Sequence, residues 1–228
     1  MKKMRLIIPG LIILAVTLIV ARNINKNDVE ESETVNKDNY IDNTGLVPVD
    51  TSGKEVKMRR SLGLDSNETA CLAYEPTIEN YINKADIIVK GETTDIKYFD
   101  CEGIPWSRLS VIVQDVISGD IENNTEIAVY VMEGFQYNGM DKNSLVEVEG
   151  DSLGLHKIGD TSVFVLNWQD GSDIFEKGSY LRTFGCYSEY RYIENEKKYN
   201  IYDTRIGGKL DEIKLEKKIK TLAGRDKQ

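Results

Sequence analysis

From about Thr69 onward the chain is a succession of short apolar patterns, each cut off by glycine, proline, asparagine or aspartate. Ile78, Tyr81, Ile82 and Ala85 fall at helical spacing behind Glu75-Pro76, and Pro suits the first helical position because its missing N–H has no intrahelical role there. The period then changes to two. ADIIVKGETTDIKYF predicts a long strand, with Gly91 as a bulge or point of close approach. SRLSVIVQDVISGD places Leu109, Val111 and Val113 on one face before Ser118-Gly119-Asp120 breaks it. TEIAVYVMEG sets Ile127, Val129 and Val131 against Ala128, Tyr130 and Met132, and two apolar faces mark a central or barrel strand. Residues 135–155 are Gly- and Asp-rich and read as a long loop or flap with a strand-like piece at 145–148. SVFVLNWQ is again apolar on both faces. GSYLRTFG, YSEYRYIE and KKYNIYD follow as short strands with turn signals at Gly178, Gly185 and Glu194-Asn195. KLDEIKLEKKIKTLAG closes as an amphipathic helix with Leu215, Ile219 and Leu222 on one face and Gly224 as its stop.

Helix, about seven strands, helix: that order with short turns favours a mainly β domain, a small antiparallel OB-like barrel flanked by one short N-terminal helix and one C-terminal helix. A twisted open sheet with the first helix on one face is the alternative.

Upstream the pattern is of another kind. Lys2, Lys3 and Arg5 precede an uncharged run of 16 residues, Leu6–Ala21. A positive segment followed by an apolar one is what export machinery reads. The run lies between a signal-peptide core of about 7–15 residues and a membrane span of about 17–25. Cleavage after Ala21 would put bulky Ile19 at the −3 position. The expectation is an uncleaved anchor, residues 1–22, with the chain beyond it outside the cytoplasm, or a secreted protein if the segment is removed. Residues 23–66, rich in Asn, Asp, Glu and Lys, read as an acidic disordered linker with a short ordered arm toward its end, and 67–228 as the extracytoplasmic domain.

Charge narrows the partners. Residues 1–28 hold five cations and one anion, leaving 24 cations against 37 anions in the remainder, a net of −13. Such a surface repels phosphate backbones, so nucleic acid is not the expected partner. Three cysteines, Cys71, Cys101 and Cys186, allow one disulfide in an oxidising compartment, and three pairings stay open. Their spacing makes no metal motif, and the lone His156 adds no second ligand, so neither metal nor cofactor is expected.

No catalytic motif emerges. His156 would have to serve as base for Ser152 or Cys186, neither of which sits in a nucleophile elbow, and a solvated loop histidine is the simpler expectation. Asp141, Glu147, Glu149 and Asp151 read as a solvated acidic loop rather than a Ca²⁺ site. The aromatic residues are more suggestive. Tyr180, Phe184, Tyr187, Tyr190, Tyr192, Tyr199 and Tyr202 crowd into 23 residues. Stacked tyrosines stabilise sheets and also build binding faces. Tyr180, Tyr187, Tyr190 and Tyr192 are therefore the candidate ligand-binding residues.

The stretches NKADIIVKGETTDIKYFD, RLSVIVQDVISGDIENNTEIAVYV, HKIGDTSVFVLNW and GSYLRTFGCYSEYRYIENEKKYNIYD occur in an order that resembles secreted or membrane-attached OB-like barrel proteins of Gram-positive bacteria. It is loosely similar to the barrels of tissue metalloproteinase inhibitors and netrin-type modules. The resemblance covers about residues 79–203 and departs at Ser118, where a lysine is usual, and at Gly185-Cys186-Tyr187. It implies a fold, not an active site. No cysteine leads the chain to meet a protease metal as in those inhibitors. The expected function is a membrane-tethered binding module of the cell envelope engaging an envelope protein or a glycan. A carboxylate-dependent hydrolase of envelope or extracellular polymers and an inhibitor of an extracellular protease are the alternatives.

Overall fold

A computed structural model describes residues 45–61, 77–150, 153–170, 174–201 and 208–224. The segment expected to direct export, most of the expected linker and Cys71 lie outside the described residues. Among the described residues no helix is long and apolar enough to cross a membrane.

Five strands close into a barrel: β3 (Ile87–Cys101), β4 (Ile104–Ser118), β5 (Glu126–Val131), β8 (Thr161–Gln169) and β9 (Ser179–Cys186). Their order is β3-β4-β5-β9-β8, and β3 pairs back onto β8. The expected antiparallel barrel is corrected in one respect. The β5–β9 pair is parallel, with Val129 opposite Tyr180, so the barrel is mixed. The reason is parity: directions cannot alternate all the way round a ring of five, so one seam must be parallel. The arrangement is consistent with an OB-like barrel.

Closing so small a barrel requires strongly coiled strands, and β3 and β4, at 15 residues each, supply the bend. Their ladder shifts register at three places along β3, one of them between Lys90 and Gly91. A Cβ on Gly91 would stand 2.4 Å from Val111 Cγ1 and 3.0 Å from the Ile112 carbonyl oxygen, so this residue is the close approach that its place in the strand implies. The hairpin turns through Glu102 and Gly103, both at positive φ, and the Gly103 N–H donates to Asp100 Oδ1 at 2.9 Å.

The barrel interior holds Val89, Leu109, Val111, Val113, Ile127, Val129, Val131, Phe164 and Leu166. The opposite face of β3 and β8 is also apolar because a second layer covers it. Ile88, Val163 and Val165 pack with Tyr190 of β10 (Glu189–Ile193), Tyr199 of β11 (Lys198–Asn200) and two helices. Helix α1 (Ile78–Ile82) buries Ile78, Tyr81 and Ile82 and is capped by Thr77, whose Oγ1 accepts from the Asn80 N–H. Helix α2 (Glu212–Ala223) buries Leu215, Ile219 and Leu222, with Asp211 as N-cap and Gly224 as C-cap. Strand β12 (Lys209–Leu210) leads into it beside β11.

Residues 135–155, read as a flap, are in larger part a hairpin. β6 (Gly134–Asn138) and β7 (Asp141–Glu149) pair antiparallel, and β2 (Glu55–Ser61) adds to β7 in parallel. Leu145, Val146 and Val148 are buried by this pairing, an apolar content that the surrounding Gly and Asp residues mask in sequence. β1 (Val47–Pro48) pairs with the distal end of β3, so the last part of the expected linker contributes two strands.

Candidate functional site

Two constellations stand out. The first is an apolar row on the outer face of the β3–β4 hairpin. Antiparallel partners project to the same side, and the register pairs Pro48 with Phe99, Phe99 with Trp106, and Cys101 with Ile104. Ile104 is 43 % exposed, and Met132, which follows β5, is 39 % exposed. Phe99 and Trp106 are half-buried. Phe175, from the segment between β8 and β9, leans over the row. Its ring centroid lies 4.8 Å from that of Trp106 and 4.7 Å from that of Tyr130. Next to it, Glu176 Oε1 accepts from Arg108 Nε at 2.9 Å and Nη2 at 2.7 Å, and Arg108 also donates to Ser110 Oγ. Burial, reinforced by the charge of Glu176, pushes the Tyr130 hydroxyl up to about 12, so it stays a neutral donor. The inner face of the same hairpin is closed by β6, where Tyr98 meets Phe135 edge-on at 4.8 Å.

The second constellation is charged and enclosed. Glu133 continues the inward phase of Ile127, Val129 and Val131. Ser162 likewise continues that of Phe164 and Leu166. These residues therefore lie at one end of the barrel interior. His156 enters there from the segment joining β7 to β8. Its Nδ1 lies 2.7 Å from Glu133 Oε1 and its Nε2 lies 2.7 Å from Glu189 Oε1. Both ring nitrogens thus face carboxylates, a pattern that requires both protons and makes the ring an imidazolium. The His156 backbone N–H donates to the same Glu133 oxygen at 2.8 Å. Glu189 also accepts from Ser162 Oγ at 2.7 Å and from Arg182 Nη1 at 2.8 Å. Arg191 donates through Nη1 to the Gly154 carbonyl, and its Nη2 is 3.1 and 3.2 Å from the two ring nitrogens, which seats the guanidinium over the ring face.

The electrostatics follow from burial, with side-chain exposures of 0 % for His156, 1 % for Glu133 and 2 % for Glu189. Burial alone would lower the histidine pKa, but Glu133 and Glu189 outweigh it and raise it to about 9. Burial likewise opposes ionisation of both carboxyls. His156 with Arg191 and Arg182 overcomes it at Glu133, and His156 with Arg182 and Arg191 holds Glu189 well below the usual carboxylate range. Three cations face two anions, none reachable by a polymer. The cluster's chemistry is that of a protonated lock across the barrel end.

His156 is therefore not a solvated loop residue. Its carboxylates are 23 and 33 residues distant, and the one sequence sign was the inward phase of Glu133. The four candidate tyrosines do not share a surface. Tyr180 is buried in the barrel interior beside Trp168, and Tyr190 is buried in the helix-covered layer. Tyr187 and Tyr192 are half-buried against that second layer, Tyr187 near Tyr81 and Tyr192 on Tyr199. Of the acidic group, Asp141, Glu147 and Glu149 lie on β7, with Glu147 beside Arg59 at 3.4 Å and Asp141 beside Lys57 at 3.6 Å. Asp151 and Ser152 lie outside the described residues. Cys101 carries a free thiol, half-buried, whose pKa burial raises, helped by Glu102 and Asp100. The side chain of Cys186, like Cys71, is outside the described set. A shallow depression on α2, lined by Ile213, Glu216, Lys217, Lys220 and Thr221, is open to solvent and gathers no reactive pair.

No family model matches the chain, and no curated protein matches it in sequence.

Proposed function

We propose that this chain is a membrane-tethered, extracytoplasmic binding module of the cell envelope, without catalytic activity. The observation that carries the reading is the outer-face row of Phe99, Trp106, Ile104 and Met132, half-open to solvent along β3, β4 and the end of β5. Aromatic residues beside a fixed Arg108–Glu176 pair offer stacking surface and hydrogen bonds together, the combination that binding faces use. In OB-like barrels the face of the second and third strands and the flanking loops receive extended ligands, and Arg108, Tyr130 and Phe175 occupy that place. The acidity of the chain favours an envelope protein or a glycan over nucleic acid. The cationic start before Leu6–Ala21 and the resemblance to secreted and membrane-attached barrels of Gram-positive bacteria support the address. A hydrolase reading would need accessible carboxylates near a proton relay. Glu133 and Glu189, the carboxylates that His156 bridges, are enclosed.

The test is photo-crosslinking of the full chain in intact cells, with the reactive group at position 132 or, as control, at position 213 on α2. A discrete envelope adduct from position 132 and none from 213 is the expected result. Equal labelling from both positions, or none from 132, overturns the assignment of this face.

A further inference from the structure

A separate surface belongs to the other sheet. β2 is its end strand, pairing with β7 on one side, and all seven of its residues are exposed. Among the described residues no strand pairs with its other side. Alternate residues of an edge strand turn N–H and C=O groups outward, which makes the edge a template for another strand. The side chains give that template a sign. Lys57, Arg59 and Arg60 follow one another within four positions of a chain whose net charge is −9. Lys57 and Arg59 meet Asp141 and Glu147 on the β7 side but remain 49 % and 73 % exposed. The Arg60 Nε lies on Met58 Sδ, and no ion pair engages Arg60 among the described residues.

We propose that β2 receives an extended, acidic segment of a partner protein as the fourth strand of the β6–β7–β2 sheet. Main-chain bonds to the edge at 55–60, which no strand occupies among the described residues, supply affinity. Carboxylates about 5 Å across from Lys57, Arg59 and Arg60 supply selection. Val56 and Met58, both exposed, offer apolar contacts between them. A second copy of β2 is a poor occupant, since its cations would face these. Neutral strands are disfavoured because they would leave Arg60 without a counter-charge, so the edge discriminates as well as attracts. The overall negative charge of the chain opposes this little, being screened beyond about 8 Å at physiological salt.

The experiment uses the full chain in detergent micelles and a fluorescent ten-residue peptide of alternating Val-Val and Glu-Glu pairs, which carries carboxylates on both faces as the adjacent Arg59 and Arg60 require. Saturable binding is expected, with amide exchange in β2 slowed on peptide addition. The R60E variant, which breaks no ion pair among the described residues, should bind about tenfold more weakly at unchanged melting temperature. A peptide N-methylated at alternate residues should fail to bind the unaltered chain, because it cannot donate to the edge. No saturable binding up to millimolar peptide, binding that leaves β2 exchange unchanged, or equal binding of the N-methylated peptide would each overturn the proposal. None of these outcomes depends on the outer-face row.

Discussion

Replacing His156 by Gln isolates the buried lock. Both carboxylates of the cluster depend on the imidazolium, and both distances are 2.7 Å. In the unfolded chain a histidine titrates near 6.5, whereas here the value is about 9. A folded-state pKa above the unfolded one means that the folded protein binds the proton more tightly. The resulting stabilisation is complete below about pH 6.5 and disappears as pH rises through 9. A difference of about 2.5 units corresponds to about 3 kcal/mol, of which about 2 remain at pH 7.5. On the acid side Glu133 and Glu189 have lowered values, so their contribution is present above the ordinary carboxylate range and is lost as pH falls through the folded values. The stability of the unaltered protein should therefore peak near pH 5–6.5 and decline by about 3 kcal/mol toward pH 9. In His156→Gln the peak should be lower by about 3–5 kcal/mol, the cost of removing one partner from a buried ion cluster, and the slope between pH 6.5 and 9 should flatten. Urea unfolding followed by the fluorescence of Trp106 and Trp168 at a series of pH values measures both quantities. Parallel slopes for the two proteins across pH 6.5–9 would refute the reasoning, as would a histidine that titrates below 7 by NMR.

Other expectations are simpler. Gly91→Ala forces a methyl to within 2.4 Å of Val111 and should lower stability by about 1–3 kcal/mol, read as a drop in melting temperature. Tyr190→Ala empties a fully buried site and should cost about 3–5 kcal/mol, whereas Tyr192→Ala, at a half-buried position, should cost clearly less. Thermal melts of the two variants in parallel decide this, and equal losses would contradict the placement. Asp211→Ala removes the oxygen that accepts from the Lys214 N–H and should cost about 1 kcal/mol by the same melts. Cys101 should alkylate slowly at pH 7 despite its partial exposure and speed up with rising pH, because burial holds its thiol protonated.

Periodicity of two and of 3.6 is a local property, and the strands β3, β4, β5 and β8 and the helix α2 were legible for that reason. So were Gly91 as a close approach and Leu215, Ile219 and Leu222 as the buried face, since each needs only neighbours along the chain to be recognised. A barrel of mixed rather than antiparallel strands was not legible, because it depends on which strand closes onto which. Nor were the burial of Tyr180 and Tyr190 in different layers, the hairpin made from 134–149, or the addition of β2 to β7 across more than 80 residues. An aromatic cluster in sequence says that rings are near along the chain; the sheet then sends alternate rings to opposite faces and separates them. The reverse holds for His156, Glu133, Glu189, Arg182 and Arg191, which are unremarkable one by one. Their meaning comes from low-dielectric enclosure, where charges must find counter-charges, and that enclosure exists only once the barrel has closed.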